Sequence, residues 1–312
     1  MSFKLGLAAL LFFMVFQQET AAQCLSSVNP VGGTDNLLVL KKESWRAISF
    51  YRFGQGSRYY EGSHLSGFNL IDRAWYNYLS LILGYGLTDR LTFELETGYF
   101  LNKTQVYNLE PEYRLTGRGL SNFVFLAKHG LYANRDKRVY INGGLGVKIP
   151  SARDLQYADN VKLPVEVQPT LGSFGAVATF SLVKEDSFHG VRWFLTSRAE
   201  THLPNRDNYL PGTLVFSSAY LSKHLMFPWL KGDWTAILQL KNEIRTFDKI
   251  DGLRKNASGS TLFFLVPQVN YVLLEKWYLS VLVDFPVFQY FNGTQLGAGT
   301  GFAFVVSRVL TL

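Results

Sequence analysis

Leu91-Thr92-Phe93-Glu94-Leu95-Glu96-Thr97-Gly98-Tyr99 is the stretch that decides the fold. Along a strand, successive side chains point to opposite faces. Leu91, Phe93, Leu95, Thr97 and Tyr99 therefore make one greasy face, while Thr92, Glu94, Glu96 and Gly98 make a polar one. Val139–Ile149 repeats the pattern, with Val, Ile, Leu, Val and Ile set against Asn, Gly and Lys. Trp234–Lys241 repeats it again, as does Trp277–Phe285, where Ser280 and Asp284 oppose the apolar row.

A soluble sandwich also alternates, so spacing has to separate the two. Twelve strand-like runs lie near 45–53, 74–86, 91–101, 118–132, 138–149, 164–183, 191–202, 213–226, 234–246, 260–273, 277–288 and 297–312. Connections 54–73, 102–117, 150–163, 203–212, 247–259 and 289–296 are long; 87–90, 133–137, 184–190, 227–233 and 274–276 are short. Short turns on one side, longer loops on the other and an even strand number describe a bacterial outer-membrane barrel. Most runs also reach the roughly 9–11 residues that cross a bilayer at a tilt. The expected fold is an all-β, antiparallel transmembrane barrel of about twelve strands, with ten and fourteen as the neighbouring counts.

Composition agrees with this reading. The 312 residues are 47% hydrophobic, 15% aromatic and only 18% charged, which excludes a disordered chain. A single cysteine excludes a disulfide scaffold and a cysteine-based metal cluster, and no His/Asp/Glu spacing suggests a metal site. No cofactor is implied. The net charge of +7 is spread along the chain without the Lys/Arg runs of a nucleic-acid binder, and it suits an anionic lipid surface such as lipopolysaccharide.

Residues 1–22 read as a secretory signal: Lys4, the apolar run Leu5–Phe16, then polar and small residues ending in Ala21-Ala22. The apolar run is about half the length a membrane-spanning helix needs. Cys24 follows Gln23, where lipid attachment prefers a small residue, so a plain thiol is the favoured reading over a lipoprotein. Residues 23–44 form a periplasmic or plug segment ahead of a barrel over 45–312. Leu37-Leu38-Val39-Leu40 is too greasy for a free tail and is expected to pack inside or beneath the barrel.

Tryptophans mark the expected membrane interfaces. Trp45, Trp193, Trp234 and Trp277 begin runs that rise from the periplasmic side, and Trp75 falls at the opposite rim. Phe302, Phe304, Val306, Leu310 and Leu312 share one face of a terminal strand, with Arg308 interrupting it.

The signal, the turn Gly86-Leu87-Thr88-Asp89-Arg90-Leu91-Thr92 and the run Gly143-Gly144-Leu145-Gly146-Val147-Lys148 resemble transporter-type outer-membrane barrels. The likeness is greatest to the MetA-type group named for a phenol-degradation pathway. Asn29-Pro30-Val31-Gly32-Gly33-Thr34 resembles an N-terminal element of related barrels from gliding-type Gram-negative bacteria. The resemblance implies a Gram-negative outer-membrane barrel with a transport role. It names no substrate and transfers no functional residue.

The polar parity carries the candidate site. Its acidic members are Glu94, Glu96, Glu166, Glu200, Glu243 and Asp284; its basic members are Lys128, Lys148, Arg192, Arg198, Lys241 and Arg245. Facing lipid, a Lys or Arg costs about 2–4 kcal/mol at the bilayer midplane, so these groups are expected to line the lumen. They could tune a water-filled path or pair to close a narrow one, and a twelve-strand lumen sits between filled and open. His64 and Ser66, two residues apart in an outer loop, are the nearest approach to a nucleophile pair, with no motif around them.

The expected activity is passive passage of small molecules through a narrow charged lumen. The alternative is a closed structural or surface-binding barrel, and a lipid-modifying enzyme is third. Expected partners are outer-membrane lipid, lipopolysaccharide, the barrel-assembly machinery and an unidentified small solute, with no nucleic acid.

Overall fold

The computed structural model describes residues 38–186, 189–226, 232–274 and 276–311. The signal segment, Cys24 and most of the 23–44 segment lie outside these residues. All regular structure is β. Twelve strands form the wall: β1 (Ser44–Gly56), β2 (Ile71–Thr88), β3 (Leu91–Tyr107), β4 (Asn122–Asn134), β5 (Val139–Pro150) and β6 (Gly175–Asp186) in the first half. β7 (Val191–His202), β8 (Leu214–Leu225), β9 (Asp233–Arg245), β10 (Ser260–Leu273), β11 (Trp277–Leu296) and β12 (Gly301–Thr311) complete it. Each pairs antiparallel with the next, and β1 pairs with β12 from Ser44↔Thr311 to Phe53↔Phe302, which closes the barrel. Closure leaves the wall without a free edge, the condition a sheet must meet in hydrocarbon.

The alternation read from the sequence orients the wall. Along β2, Leu79, Leu81 and Leu83 are exposed outward while Tyr78, Ser80 and Ile82 are buried inward. Leu145 on β5 is 73% exposed, a cost in water and a gain against lipid. Trp45, Trp193, Trp234 and Trp277 stand on the outward parity near the short-turn rim, and Trp75 stands on it at the loop rim. Arg308, also outward, lies over the Trp277 ring at 4.8 Å.

Three boundaries differ from the expectation. Residues 164–174 are not strand; β6 begins at Gly175, and the residues before it fold inward. The run at 118–132 is broken at Ser121, where Gly119 adopts φ +138° and a separate strand, Tyr113–Leu120, pairs with the upper part of β3. The connection placed at 289–296 is strand as well: β11 runs on to Leu296 and pairs beyond the rim with Tyr59–Gly62 of the first loop.

Candidate functional site

The interior mixes apolar clusters with charge. From β10 through β12 to β3, inward residues include Phe50, Ile82, Phe264, Val266 and Val305, which pack into one apolar cluster. Charged residues stand on both sides of the lumen, arranged in bonds that cross it. Arg198 on β7 holds Glu96 on β3 through Nη1 at 2.9 Å and Nη2 at 2.8 Å. Its Nε donates to Glu200 at 2.7 Å, and Glu200 in turn accepts from Lys148 Nζ at 2.6 Å. The His202 ring nitrogen lies 3.2 Å from the same ammonium.

Nearer the turn rim, Glu94 is held between Arg46 and Lys128, both at 2.7 Å. A third group sets Lys241 between Asp284 at 2.9 Å and Glu243 at 3.2 Å, with its ammonium 4.1 Å from the centre of the Phe264 ring. Toward the loop rim Arg245 grips Asp248 with two bonds of 2.9 and 3.0 Å, and Asp248 also accepts from the Tyr209 hydroxyl and the Gly212 N–H.

The twelve sequence-derived positions fall as follows. Glu94, Glu96, Lys128, Lys148, Arg198, Glu200, Lys241, Glu243, Arg245 and Asp284 point inward from the wall. Glu166 is interior too, but the inward-folded segment brings it there and no strand does. Arg192 shares the inward parity of its strand, but its side chain is 59% exposed at the turn rim, 3.3 Å from Glu185, and takes no part in the buried groups.

Arg46, Arg52, Lys103 and Asp248 are buried interior charges that the sequence reading missed. Arg46 and Arg52 share a parity with Ile48 and Phe50, so β1 shows no clean polar face.

Chain segments cross both ends. At the turn rim Leu38 packs against Val183, Phe194, Tyr220 and Ile237 of β6–β9. Two residues on, the Leu40 N–H donates to Thr92 Oγ1 of β3 at 2.7 Å, and Leu40 lies beside Gly84 of β2. The peptide thus spans the mouth. At the loop rim Lys103 of β3 donates to the Gln168 carbonyl at 3.0 Å, Val167 packs with Leu115 and Leu163, and Thr170 donates to Asn122 at 2.7 Å. Glu166 sits among Lys255, Arg245 and Lys103, contributed from opposite sides of the barrel; burial raises its carboxyl above the ordinary value.

Between this segment and the Arg198 chord lies a cavity of about 110 Å³, bounded by Tyr78 and Phe100 on one side and by Lys148, Arg198, His202 and Phe216 on the other. A pocket of about 50 Å³ adjoins Arg52, Lys241 and Asp284. An apolar cavity of about 150 Å³ holds one benzene, so this conformation admits only the smallest solutes. Among the described residues no cluster of His, Cys, Asp and Glu could hold a metal. His64 and Ser66 show no dyad: His64 is exposed on a short strand, and Ser66 Oγ accepts from the Phe68 N–H.

No family model and no curated protein matches the chain. Solved structures do. A COG4313 outer membrane channel from Pseudomonas putida F1 superposes with a TM-score of 0.67 at 14% identity, covering 91% of this chain and 100% of that one. A FadL homologue from Pseudomonas aeruginosa gives 0.36 at 8% identity, over 85% and 89% of the two chains. The first likeness is one of fold: this chain, a twelve-strand barrel, is built as that outer membrane channel is.

Proposed function

We propose that the chain is a non-enzymatic channel of the Gram-negative outer membrane, passing small molecules through a narrow charged interior that is closed here at both ends. The observation that carries this reading is the chamber itself. A closed barrel with an apolar outer wall encloses a cavity beneath the 163–174 segment, where a merely structural barrel would fill with side chains. Its Tyr78, Phe100 and Phe216 rings can hold an apolar body, and Lys148, Arg198 and His202 can hydrogen-bond a polar end. At about 110 Å³ the chamber is too small for most solutes, so passage requires the segments at both ends to move.

The test is single-channel conductance of the refolded chain 23–312 in a planar bilayer, with and without residues 24–44. Discrete steps that grow on deletion support the channel; silence from folded protein of both forms sinks it. The second reading, a closed structural barrel, is favoured by the Glu96–Arg198–Glu200–Lys148 chain, which fastens strands across the lumen. Arg198→Met separates the two. A channel shows altered ion selectivity, whereas a purely structural role shows only the loss of roughly 3–5 kcal/mol expected when a buried charge partner is removed.

A further inference from the structure

The outer surface of the wall carries a feature that passage through the interior does not use. Trp45 pairs with Tyr85 at the turn rim, and Gln55 pairs with Trp75 at the loop rim. Ten residues of β2 separate Tyr85 from Trp75. At about 3.3 Å per residue and a tilt of about 40°, that is a height of about 25 Å, the thickness of the apolar band of such barrels. Trp75 therefore stands at the outer interface, and Arg73, two residues further up the same parity, stands at headgroup level.

Arg73 is not alone there. Arg73 and Arg114 flank Val106 of β3 from its two neighbouring strands. Both guanidiniums lie over the same Trp75 ring, at 5.7 and 5.4 Å from its centre. Two like charges against one indole repel each other. What opposes that repulsion within the chain is slight: Arg73 lies 3.9 Å from Asp72 and 4.0 Å from Glu112, both at the limit of contact and in solvent. Arg114 has no carboxylate partner among the described residues. Arg118 lies on the same outward row of its strand, four residues nearer the membrane centre.

We infer that Arg73, Arg114 and Trp75 form a binding site on the barrel's outer face for a phosphate of lipid A in the outer leaflet. A guanidinium pair presents parallel N–H donors to a phosphate, which would neutralise both charges at once. The indole holds the two side chains upright at the level where that phosphate lies. Among the described residues the opposite rim lacks this arrangement: there a single guanidinium, Arg308, covers Trp277.

This inference rests on the outer-membrane placement of the barrel. A chain that fails to insert into vesicles would refute that placement separately. The deciding measurement is native mass spectrometry of the refolded mature chain in detergent with diphosphoryl lipid A, monophosphoryl lipid A or phosphatidylglycerol. The unaltered barrel should retain diphosphoryl lipid A best. Arg73→Gln with Arg114→Gln should weaken that retention on the order of tenfold, each single change giving part of the loss. Arg308→Gln should leave it unchanged. Heat-modifiable migration checks that every variant is folded; all three residues are on the surface. Undiminished retention by the double variant, an equal loss with Arg308→Gln, or a preference for phosphatidylglycerol would overturn the assignment.

Discussion

The two ends of the barrel are closed by chain in different ways. At the turn rim the Leu38–Glu43 peptide crosses the mouth on apolar contacts of Leu38 and Leu40 and four bonds: the Leu40 N–H to Thr92, the Lys42 N–H to Asp89, Arg46 to the Leu38 carbonyl, and the Glu43 N–H to the Gly86 carbonyl. At the loop rim the 163–174 segment is anchored by side-chain amides. Gln168 donates to the carbonyls of Gln156 and Leu163 and accepts from the Gln156 N–H, while Lys103 fixes its own carbonyl. Gln168 is 1% exposed, so each of these groups would be left unsatisfied if the segment shifted without reaching water. The comparison teaches which end yields first. A peptide held by two leucines and mostly rim bonds can leave its seat more cheaply than one woven into a buried amide network.

Both segments run over a glycine, and this gives the strongest way to break the comparison. A Cβ on Gly86 would lie 2.0 Å from the Lys41 carbonyl oxygen, and one on Gly117 would lie 2.0 Å from that of Val167. Gly86→Val together with Gly117→Val should raise the conductance of the barrel more than any single change. Gly86→Val alone should leave the loop segment as the remaining barrier, and steps as large as those of the double variant would show that the loop end is already passable. A smaller effect sharpens the contrast. Gln168→Leu should cost about 1–3 kcal/mol for each buried group it strands, read as a lowered unfolding midpoint. Thr92→Val strands only the Leu40 N–H and should cost about 1 kcal/mol; equal losses would deny the asymmetry.

The smallest expected effect is one of pH. Burial raises the Glu166 carboxyl above its ordinary 4.5, so the docked segment keeps a proton that the released segment sheds. Docking is then strongest below about 4.5 and weakens as pH rises through the window above it. Loop-end opening, measured as conductance of a Gly86→Val barrel, should increase with pH over that window. Glu166→Gln should flatten the dependence.

Much of the wall was legible because a half-lipid, half-interior strand must alternate. Leu91–Tyr99 and Val139–Ile149 do so without exception, and the turn and loop lengths followed from where alternation stops. β1 was legible as a strand but not as a lining element. Its inward row mixes Arg46 and Arg52 with Ile48 and Phe50, because half of the lumen is itself apolar. Residues 164–174 failed for a related reason. Val165, Val167 and Leu171 look like wall residues, yet they are greasy because the segment packs inside the barrel. Periodicity reports that a residue is sheltered, and lipid and lumen shelter alike. The pairing of Glu96 with Arg198 was beyond reach for a different reason: the partners lie on strands four apart, and only the curvature of the closed wall brings them together.

That chord has a consequence for how the barrel is made. In an uncurled sheet β3 and β7 are held apart, so Glu96 would reach the bilayer unneutralised and Arg198 would keep only Glu200 of its own strand, where a lipid-facing arginine costs about 2–4 kcal/mol. The cost vanishes only as the sheet bends far enough for the two to meet. The ion pair therefore acts as a ratchet on curvature: hairpins inserted flat are driven to roll up, and a register slip of one residue would turn Arg198 outward and forfeit the clasp. The last event is then the meeting of Ser44 with Thr311, which must wait for the whole chain and for every cross-lumen bond that bends it.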